Sequence, residues 1–291
     1  LKLNKRLAKT NGISHSLPCW QTGVGDDNQL TRISIVGKPN TGKSSLLNQI
    51  LGEERVIVSS IPHTTREPQD MLLEFNGESI ELVDTAGIRR KNKIRPESLE
   101  KTGIQMSIEK LRQSDICLFV IDISRNLTAQ DAQLAGLIKK SGIGLIFVAN
   151  KYDLIEKDED INKKLVEYIY QYFGFARWAP VVFVSAKTGR GTQKILPKAV
   201  EIKKIREKKI DKKELNEFLR FLMKKMPPPR QSKSKAKRVS PKIVRKKRAF
   251  IAKITQMPAH RPIFELKTVN NVEIPDSYLR YLENNIRKRF G

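Results

Sequence analysis

Gly37, Gly42, Lys43 and Ser44 stand at the spacing GxxxxGKS, directly after the β-branched run Ile33–Val36 and directly before Leu46, Leu47, Ile50 and Leu51, which recur at helical spacing. A strand, a glycine loop and a helix in that order make a cradle for polyphosphate. Backbone N–H groups can ring phosphate oxygens only where no Cβ obstructs them, so both glycines are expected to be there for close approach. The helix opening near Lys43 turns its positive end to the same point. The eight residues Gly37, Lys38, Pro39, Asn40, Thr41, Gly42, Lys43 and Ser44 are therefore a candidate phosphate site. Lys43 is placed to reach the β and γ phosphates and the Ser44 hydroxyl to bind Mg²⁺.

Three further short motifs each follow an apolar run. Asp84, Thr85, Ala86 and Gly87 come after IELV: the carboxylate can hold Mg²⁺ through its water, and the Gly87 N–H can meet the γ phosphate. Asn150, Lys151, Tyr152 and Asp153 come after GLIFVA. The two oxygens of Asp153 can accept from N1–H and the 2-amino group of guanine. Adenine offers neither donor in that arrangement, so buried acceptors left unpaired would exclude ATP. Lys151 is expected over the base, tying its loop to the phosphate loop. Ser185, Ala186 and Lys187 follow VVFV and would close the base pocket, a backbone N–H meeting the guanine carbonyl. Each motif is weak evidence alone; their order, each behind its own strand, is what points to a guanine nucleotide.

The elements that must position these residues alternate from Thr31 onward. MLLEFNGESIELVD reads as two extended runs joined at Asn76 and Gly77, a hairpin signal. A helix is predicted over Ser98 to Arg112, then the strand ICLFVID, the helix AQDAQLAGLIKK, the strand GLIFVAN, the helix INKKLVEYIYQYF and the strand VVFVSA. Strands apolar throughout and separated by helices predict an α/β P-loop fold, a mainly parallel sheet with helices on both faces and the hairpin as its one antiparallel edge. The aromatic residues at 168, 170, 172, 173 and 175 have near-helical spacing and favour core packing over base stacking. Composition shifts near Ile195: a basic helical stretch runs to the prolines at 227 to 229, a low-complexity cationic segment fills 230–248, and AFIAKITQ, PIFELKTVN and PDSYLRYLENNIRKRF read as two strands and a helix. The organisation expected is a polar linker over 1–29, a nucleotide domain over 30–197 and a small basic α+β module over 198–291.

Charge bounds the partners. The chain carries 56 Lys and Arg against 31 Asp and Glu, net +25, and residues 197–291 hold 28 of the basic and 9 of the acidic side chains, so +19 lies in the last third. A polyanion, most commonly nucleic acid, is the expected partner; a solvated lysine-rich surface is the bland alternative. Two cysteines, Cys19 and Cys117, are too few for a disulfide framework or a zinc site, and Cys117 inside ICLFVI reads as a core residue. No apolar run approaches the roughly 20 residues of a membrane helix, and the first thirty residues lack a signal-peptide core. A soluble, cytoplasmic chain without stable membrane association is the expectation.

The stretches GKPNTGKSSLLNQILGEERVIVS, TTRE and DTAGIRRK resemble translation-factor-type small GTPases of the Era, TrmE and Der group, above all the second GTPase domain of the Der/EngA family of ribosome-assembly GTPases. LNEFL, the proline run, PIFEL and SYLRYLENNIRKRFG resemble the KH-like domain that follows it in that family. The likeness covers residues 31–291 apart from 230–248, and the family's first GTPase domain has no counterpart in these 291 residues. The resemblance implies hydrolysis of GTP to GDP with Lys43, Thr65 and Gly87 at the reacting phosphates and Ile88 beside them. It also implies direct Mg²⁺ ligation by Ser44 and Thr65, with Asp84 acting through water. A K⁺ ion is implied at Asn40, Ser59, Thr64 and the Ile61 carbonyl, where it would offset charge building between the β and γ phosphates. Ile88 stands where Ras-like enzymes carry glutamine, so hydrolysis should be slow until a cation or partner completes the site. The implied partners are the large ribosomal subunit and its rRNA, met by a monomer.

Three departures bear on this. His63 stands where the family has Gly and follows Pro62, which stiffens the segment expected to line the K⁺ site; Glu67 replaces an Asp; and the family's KH-like domain runs into another strand after its last helix, whereas this sequence stops at Gly291, so the small sheet is expected to be incomplete. No GxxG marks the tail, so RNA contact rests on charge and resemblance. A nucleotide-responsive RNA-binding module without turnover and a signalling GTPase at an anionic membrane are the alternatives.

Overall fold

The structure is a computed structural model, and it describes residues 2–4, 30–58, 70–83, 111, 113–156, 158–231, 247–248, 250–259, 262–269 and 274–291. It divides into two compact units, Gly25–Lys204 and Leu1–Val24 with Ile205–Gly291. The first described strand, β1 (Lys2–Asn4), belongs to the second unit.

The first unit is built on seven strands: β2 (Leu30–Val36), β3 (Val56–Val58), β4 (Met71–Phe75), β5 (Glu78–Val83), β6 (Ile116–Asp122), β7 (Gly144–Asn150) and β8 (Val181–Phe183), in the spatial order β3-β4-β5-β2-β6-β7-β8. The pairs from β5 through β2, β6 and β7 to β8 are parallel. The hairpin β4–β5 is antiparallel, and Asn76 (φ 50°) and Gly77 (φ 78°) take the left-handed conformations its two-residue turn requires. The antiparallel edge is wider than expected, because Val56–Val58 also pairs with β4. Three residues show no period of their own, which is why this strand was not legible.

Helices α1 (Lys43–Leu51), α2 (Ala129–Ser141), α3 (Ile161–Tyr172) and α4 (Ile195–Glu207) complete the alternation. Successive side chains of a strand point to opposite faces, and β6 shows what that does here. Ile116, Leu118 and Val120 join one core with Leu46, Leu47 and Ile50 of α1 and Ile195, Leu196 and Ala199 of α4. Cys117, Phe119 and Ile121 join the other with Ala135 and Ile138 of α2 and Ile169 of α3. Both faces of the sheet are thus covered, and each fully buried Leu, Ile or Phe contributes about 1.5–3 kcal/mol. The aromatic residues of α3 and its exit pack in this second core: Phe173 stacks on Phe147 at 4.9 Å, and the Tyr168 hydroxyl accepts from the Leu127 amide at 2.9 Å. Of the helix expected over 98–112, only Leu111 is described; it is helical and buried.

The basic stretch read as helical from Ile195 to Lys225 forms two helices. The first, α4, ends at Glu207, and α5 (Lys212–Lys225), in the second unit, begins anew behind Asp211, whose carboxylate accepts from the Lys213 and Glu214 amides. Gln256 fixes the break by accepting from Ile210 N at 2.9 Å and donating to Lys208 O at 3.0 Å. Leu215, Leu219 and Leu222 of α5 and Tyr278, Leu282 and Ile286 of α6 (Asp276–Phe290) pack on Ile251, Ile254, Phe264 and Leu266 of a small sheet.

That sheet has three strands in the order β1-β12-β11, where β11 is Ile251–Met257 and β12 Ile263–Thr268. Its third strand comes from the other end of the chain: Lys2–Asn4, expected as linker, pairs parallel with Ile263–Glu265. The ends of the cationic segment pair as β9 (Arg230–Gln231) and β10 (Lys247–Arg248). Among the described residues, no helix is long and apolar enough to cross a membrane.

Candidate functional site

The loop Gly37–Ser44 leaves the carboxyl end of β2 and enters α1. Two of its glycines are fixed by neighbours on the protein side. A Cβ at Gly37 would stand 2.3 Å from the Val120 carbonyl oxygen of β6. Gly42, at φ 92°, is the residue before α1, and a Cβ there would stand 2.2 Å from Asn150 Nδ2. Close packing of the loop on β6 and β7 therefore demands glycine before any ligand is considered. Among the described residues no side chain caps the start of α1, and its first turn carries no acidic residue to offset the positive helix end.

Inside the loop the Lys38 carbonyl is a shared acceptor. It takes the Thr41 hydroxyl at 2.9 Å and the Lys43 ammonium at 2.5 Å. Thr41 is buried, whereas Pro39 and Asn40 are exposed, Asn40 in the left-handed region at φ 63°. Ser44 is half-buried in the first turn of α1.

The second loop begins where β7 ends. Asn150 is 2% exposed; its Nδ2 donates to the Thr41 carbonyl at 2.7 Å, and its Oδ1 accepts from the Ala186 amide at 2.9 Å. One side chain thus joins the phosphate loop, the end of β7 and the loop after β8. Lys151 follows in a left-handed conformation, φ 67°, and Asp153 lies exposed on a single turn of 3₁₀ helix, Tyr152–Leu154. Ser185 is fully buried; its hydroxyl accepts from Thr188 N at 3.2 Å and its amide donates to the Arg190 carbonyl at 2.9 Å. Lys187 is exposed beside it.

Lys151 was expected to tie its loop to the phosphate loop. Its ammonium instead lies 2.6 Å from the carboxylate of Asp122, the last residue of β6. Burial acts to raise the Asp122 carboxyl, but the Lys151 ammonium and the Ser124 hydroxyl and amide outweigh it and hold the group below its usual value. The structure therefore brings together Gly37–Ser44, Asn150, Lys151, Asp153 and Ser185–Lys187. Ser59, Ile61, Pro62, His63, Thr64, Thr65 and Glu67, and Asp84, Thr85, Ala86, Gly87 and Ile88, lie outside the described residues.

Three family models match this chain: the 50S ribosome-binding GTPase over residues 32–151, the elongation factor Tu GTP binding domain over 104–227, and the KH-domain-like module at the C-terminus of EngA bacterial GTPase enzymes over 209–291. GTPase Der of Chloroflexus aggregans is 38% identical over 266 residues, covering 91% of this chain and 56% of the relative. GTPase Der of Caldanaerobacter subterraneus is 39% identical over 272 residues (93% and 58%), and that of Alkaliphilus oremlandii 40% over 268 (91% and 57%). The chain is thus similar to the Der family of GTPases over about nine tenths of its length. It spans somewhat more than half the length of these relatives. Among solved structures, Era in complex with MgGDPNP and nucleotides 1506–1542 of 16S ribosomal RNA is 27% identical, with a TM-score of 0.46 over 60% of this chain and 56% of that one.

The residues that sequence reasoning passed over are those that hold the recognised ones in place. Asp122, the partner of Lys151, ends the apolar strand ICLFVID, and a lone carboxylate closing such a strand was the available signal. Thr128 and Asp131 hold Lys38, and their spacing, Thr-x-x-Asp ahead of a helix, is that of a capping box. Arg190 lies over the Tyr152 ring at 5.4 Å, a contact no local pattern announces.

Proposed function

We propose that the first unit binds GTP and hydrolyses it to GDP, and that the basic second unit carries this switch to ribosomal RNA during assembly of the large subunit. The observation that carries the nucleotide reading is the buried Asn150, which locks the loop proposed for the phosphates to the loops proposed for the base. In this proposal the amides of Gly37–Ser44 surround the β and γ phosphates, Lys43 neutralises their charge, and Asp153 selects guanine. Ser185, Ala186 and Lys187 close over the base.

Ser44 suits Mg²⁺, since its hydroxyl is a hard oxygen donor placed in the first turn of α1 beside Lys43. Thr65 would be the second direct ligand and Asp84 would act through water. Mg²⁺ supplies charge stabilisation to the transferring phosphoryl group. Asn40, Ser59, Thr64 and the Ile61 carbonyl would hold K⁺. Gly87 would present its amide to the γ phosphate, and Ile88 offers no amide to orient water, so turnover is slow unless K⁺ or a partner completes the site. The excess of 28 basic over 9 acidic side chains in residues 197–291 supports the RNA assignment.

The test of the base loop is Asp153→Asn. Xanthine carries an acceptor where guanine has its amino donor, so calorimetry should show GTP weakened and XTP improved; an unchanged preference removes Asp153 from the base site. Phosphate release with K⁺ against Na⁺ tests hydrolysis, and no turnover in either leaves a nucleotide-responsive RNA module. Nucleotide-dependent co-sedimentation with large subunits across a salt series tests the partner, with anionic liposomes as the competing surface.

A further inference from the structure

Lys38 occupies the second position of the phosphate loop, yet its charge is engaged away from any phosphate. Its ammonium lies 2.7 Å from Asp131 Oδ2 and donates to Thr128 Oγ1 at 2.9 Å. Thr128 Oγ1 in turn donates to the same Asp131 oxygen at 2.9 Å, and the Thr128 amide donates to it at 2.8 Å. Lys38, Thr128 and Asp131 thus close a triangle at the start of α2, where the Asp131 side chain is 2% exposed.

A carboxylate this deeply buried is costly to leave without a cation. The loop cannot swing Lys38 outward without stranding that charge, so the triangle fixes the position of residue 38. Residue 37 is fixed from the other side, because its α-carbon abuts the Val120 carbonyl. The Lys38 carbonyl, held between these two constraints, is the acceptor for both Thr41 and Lys43. Where Lys38 sits therefore determines where Lys43 rests.

We propose that Asp131 and Thr128 are positioning residues for the phosphate loop, acting through Lys38, and that they slow the release of bound nucleotide by holding that loop in place. The two lysines of the loop divide the work: Lys43 meets phosphate, and Lys38 braces the loop that presents it. This rests on the nucleotide reading above.

Release of fluorescently labelled GDP from the full chain tests it, with thermal unfolding measured in parallel. Asp131→Asn keeps an oxygen acceptor for the Thr128 amide but removes the charge, and Lys38→Met keeps the stem and removes the ammonium. Each should speed release roughly tenfold. The double variant should be no faster than either single one, and Lys38→Arg should restore release close to wild type. Lys38 is partly exposed, so Lys38→Met keeps the test open should Asp131→Asn fail to fold. Wild-type release rates in both single variants, or effects that multiply in the double variant, would overturn the brace while leaving the nucleotide reading intact. Absence of GDP binding by the wild type would remove both.

Discussion

Asn150 and Gly42 should be energetically coupled, and the coupling can be worked out from the contacts. Truncation of Asn150 to Ala removes bonds of 2.7 Å to the Thr41 carbonyl and 2.9 Å to the Ala186 amide from a side chain that is 2% exposed. Each buried partner left unpaired costs about 1–3 kcal/mol, and water entering the vacated space offsets part of it, which puts Asn150→Ala at about 3 kcal/mol. Gly42→Ala has two costs. A left-handed backbone at φ 92° costs an alanine about 1–2 kcal/mol. The new Cβ would also fall 2.2 Å from Asn150 Nδ2, and only displacement of that amide relieves the overlap. Displacement breaks the same two bonds, so Gly42→Ala should cost about 4 kcal/mol in all. In the double variant the obstructing amide is already gone. Only the backbone cost adds to that of Asn150→Ala, giving about 4 rather than 7 kcal/mol, a coupling of about 3. Urea unfolding followed by Trp178 fluorescence in a Trp20→Phe background would read this. Additivity within about 0.5 kcal/mol would show that the amide does not fill the space beside Gly42.

Gly37→Ala should cost about 3 kcal/mol or more by urea unfolding, since its Cβ meets the carbonyl of a buried central strand, whereas Gly77→Ala, with nothing within 4 Å and only φ 78° against it, should cost about 1; equal costs would contradict the packing. Asp122 ionises below its usual 3.8 in the folded chain because Lys151 and Ser124 outweigh its burial, so the pair stabilises above that value and the benefit is lost as pH falls through the lowered folded value. The melting-temperature gap between wild type and Asp122→Asn should therefore be open at neutral pH and close on acidification below 3.8; a gap that widens there refutes the pairing. Burial pushes the fully buried Cys117 thiol up to about 12 despite a hydrogen bond with Ser34. In a Cys19→Ser variant a thiol-specific reagent should label Cys117 no faster than the chain unfolds, and prompt labelling would show that β6 is open to solvent.

What could be read beforehand follows the range of the forces involved. The P-loop spacing, the alternation of ICLFVID and GLIFVAN with helices, and the Asn76-Gly77 turn are local patterns that survive folding because tertiary packing agrees with them. The break between Glu207 and Lys212 was hidden, since Lys and Glu favour helix on both sides and the interruption is set by Gln256, 46 positions from Ile210. The strand at Lys2–Asn4 was equally hidden. Three residues carry no period, and their partner Ile263–Glu265 lies at the far end of the chain. In the site, each motif was visible, but the contacts organising them were not. Lys151 pairs with Asp122, and Lys38 with Asp131 93 positions away. Charge complementarity at that separation leaves no signature in one sequence.

Those contacts change why the loop has its composition. Glycine at 37 and 42 was first attributed to phosphate approach, but both positions are closed to a Cβ by Val120 and Asn150. The shape is then held by donors aimed at loop carbonyls: Thr41 and Lys43 at residue 38, and Asn150 at residue 41. A shape fixed from within does not have to be ordered by its ligand, so the entropy of arranging the amides is settled during folding rather than at binding. One bond in the set would have to change hands. An anionic oxygen brought to Lys43 competes with the neutral Lys38 carbonyl and wins, because it adds the attraction of a full negative charge to the hydrogen bond. Thr41 and Asn150 would keep their carbonyls, so exchange at Lys43 would leave the cradle standing, and the proposed Lys38–Asp131 brace would keep the vacated carbonyl from drifting into the place proposed for phosphate.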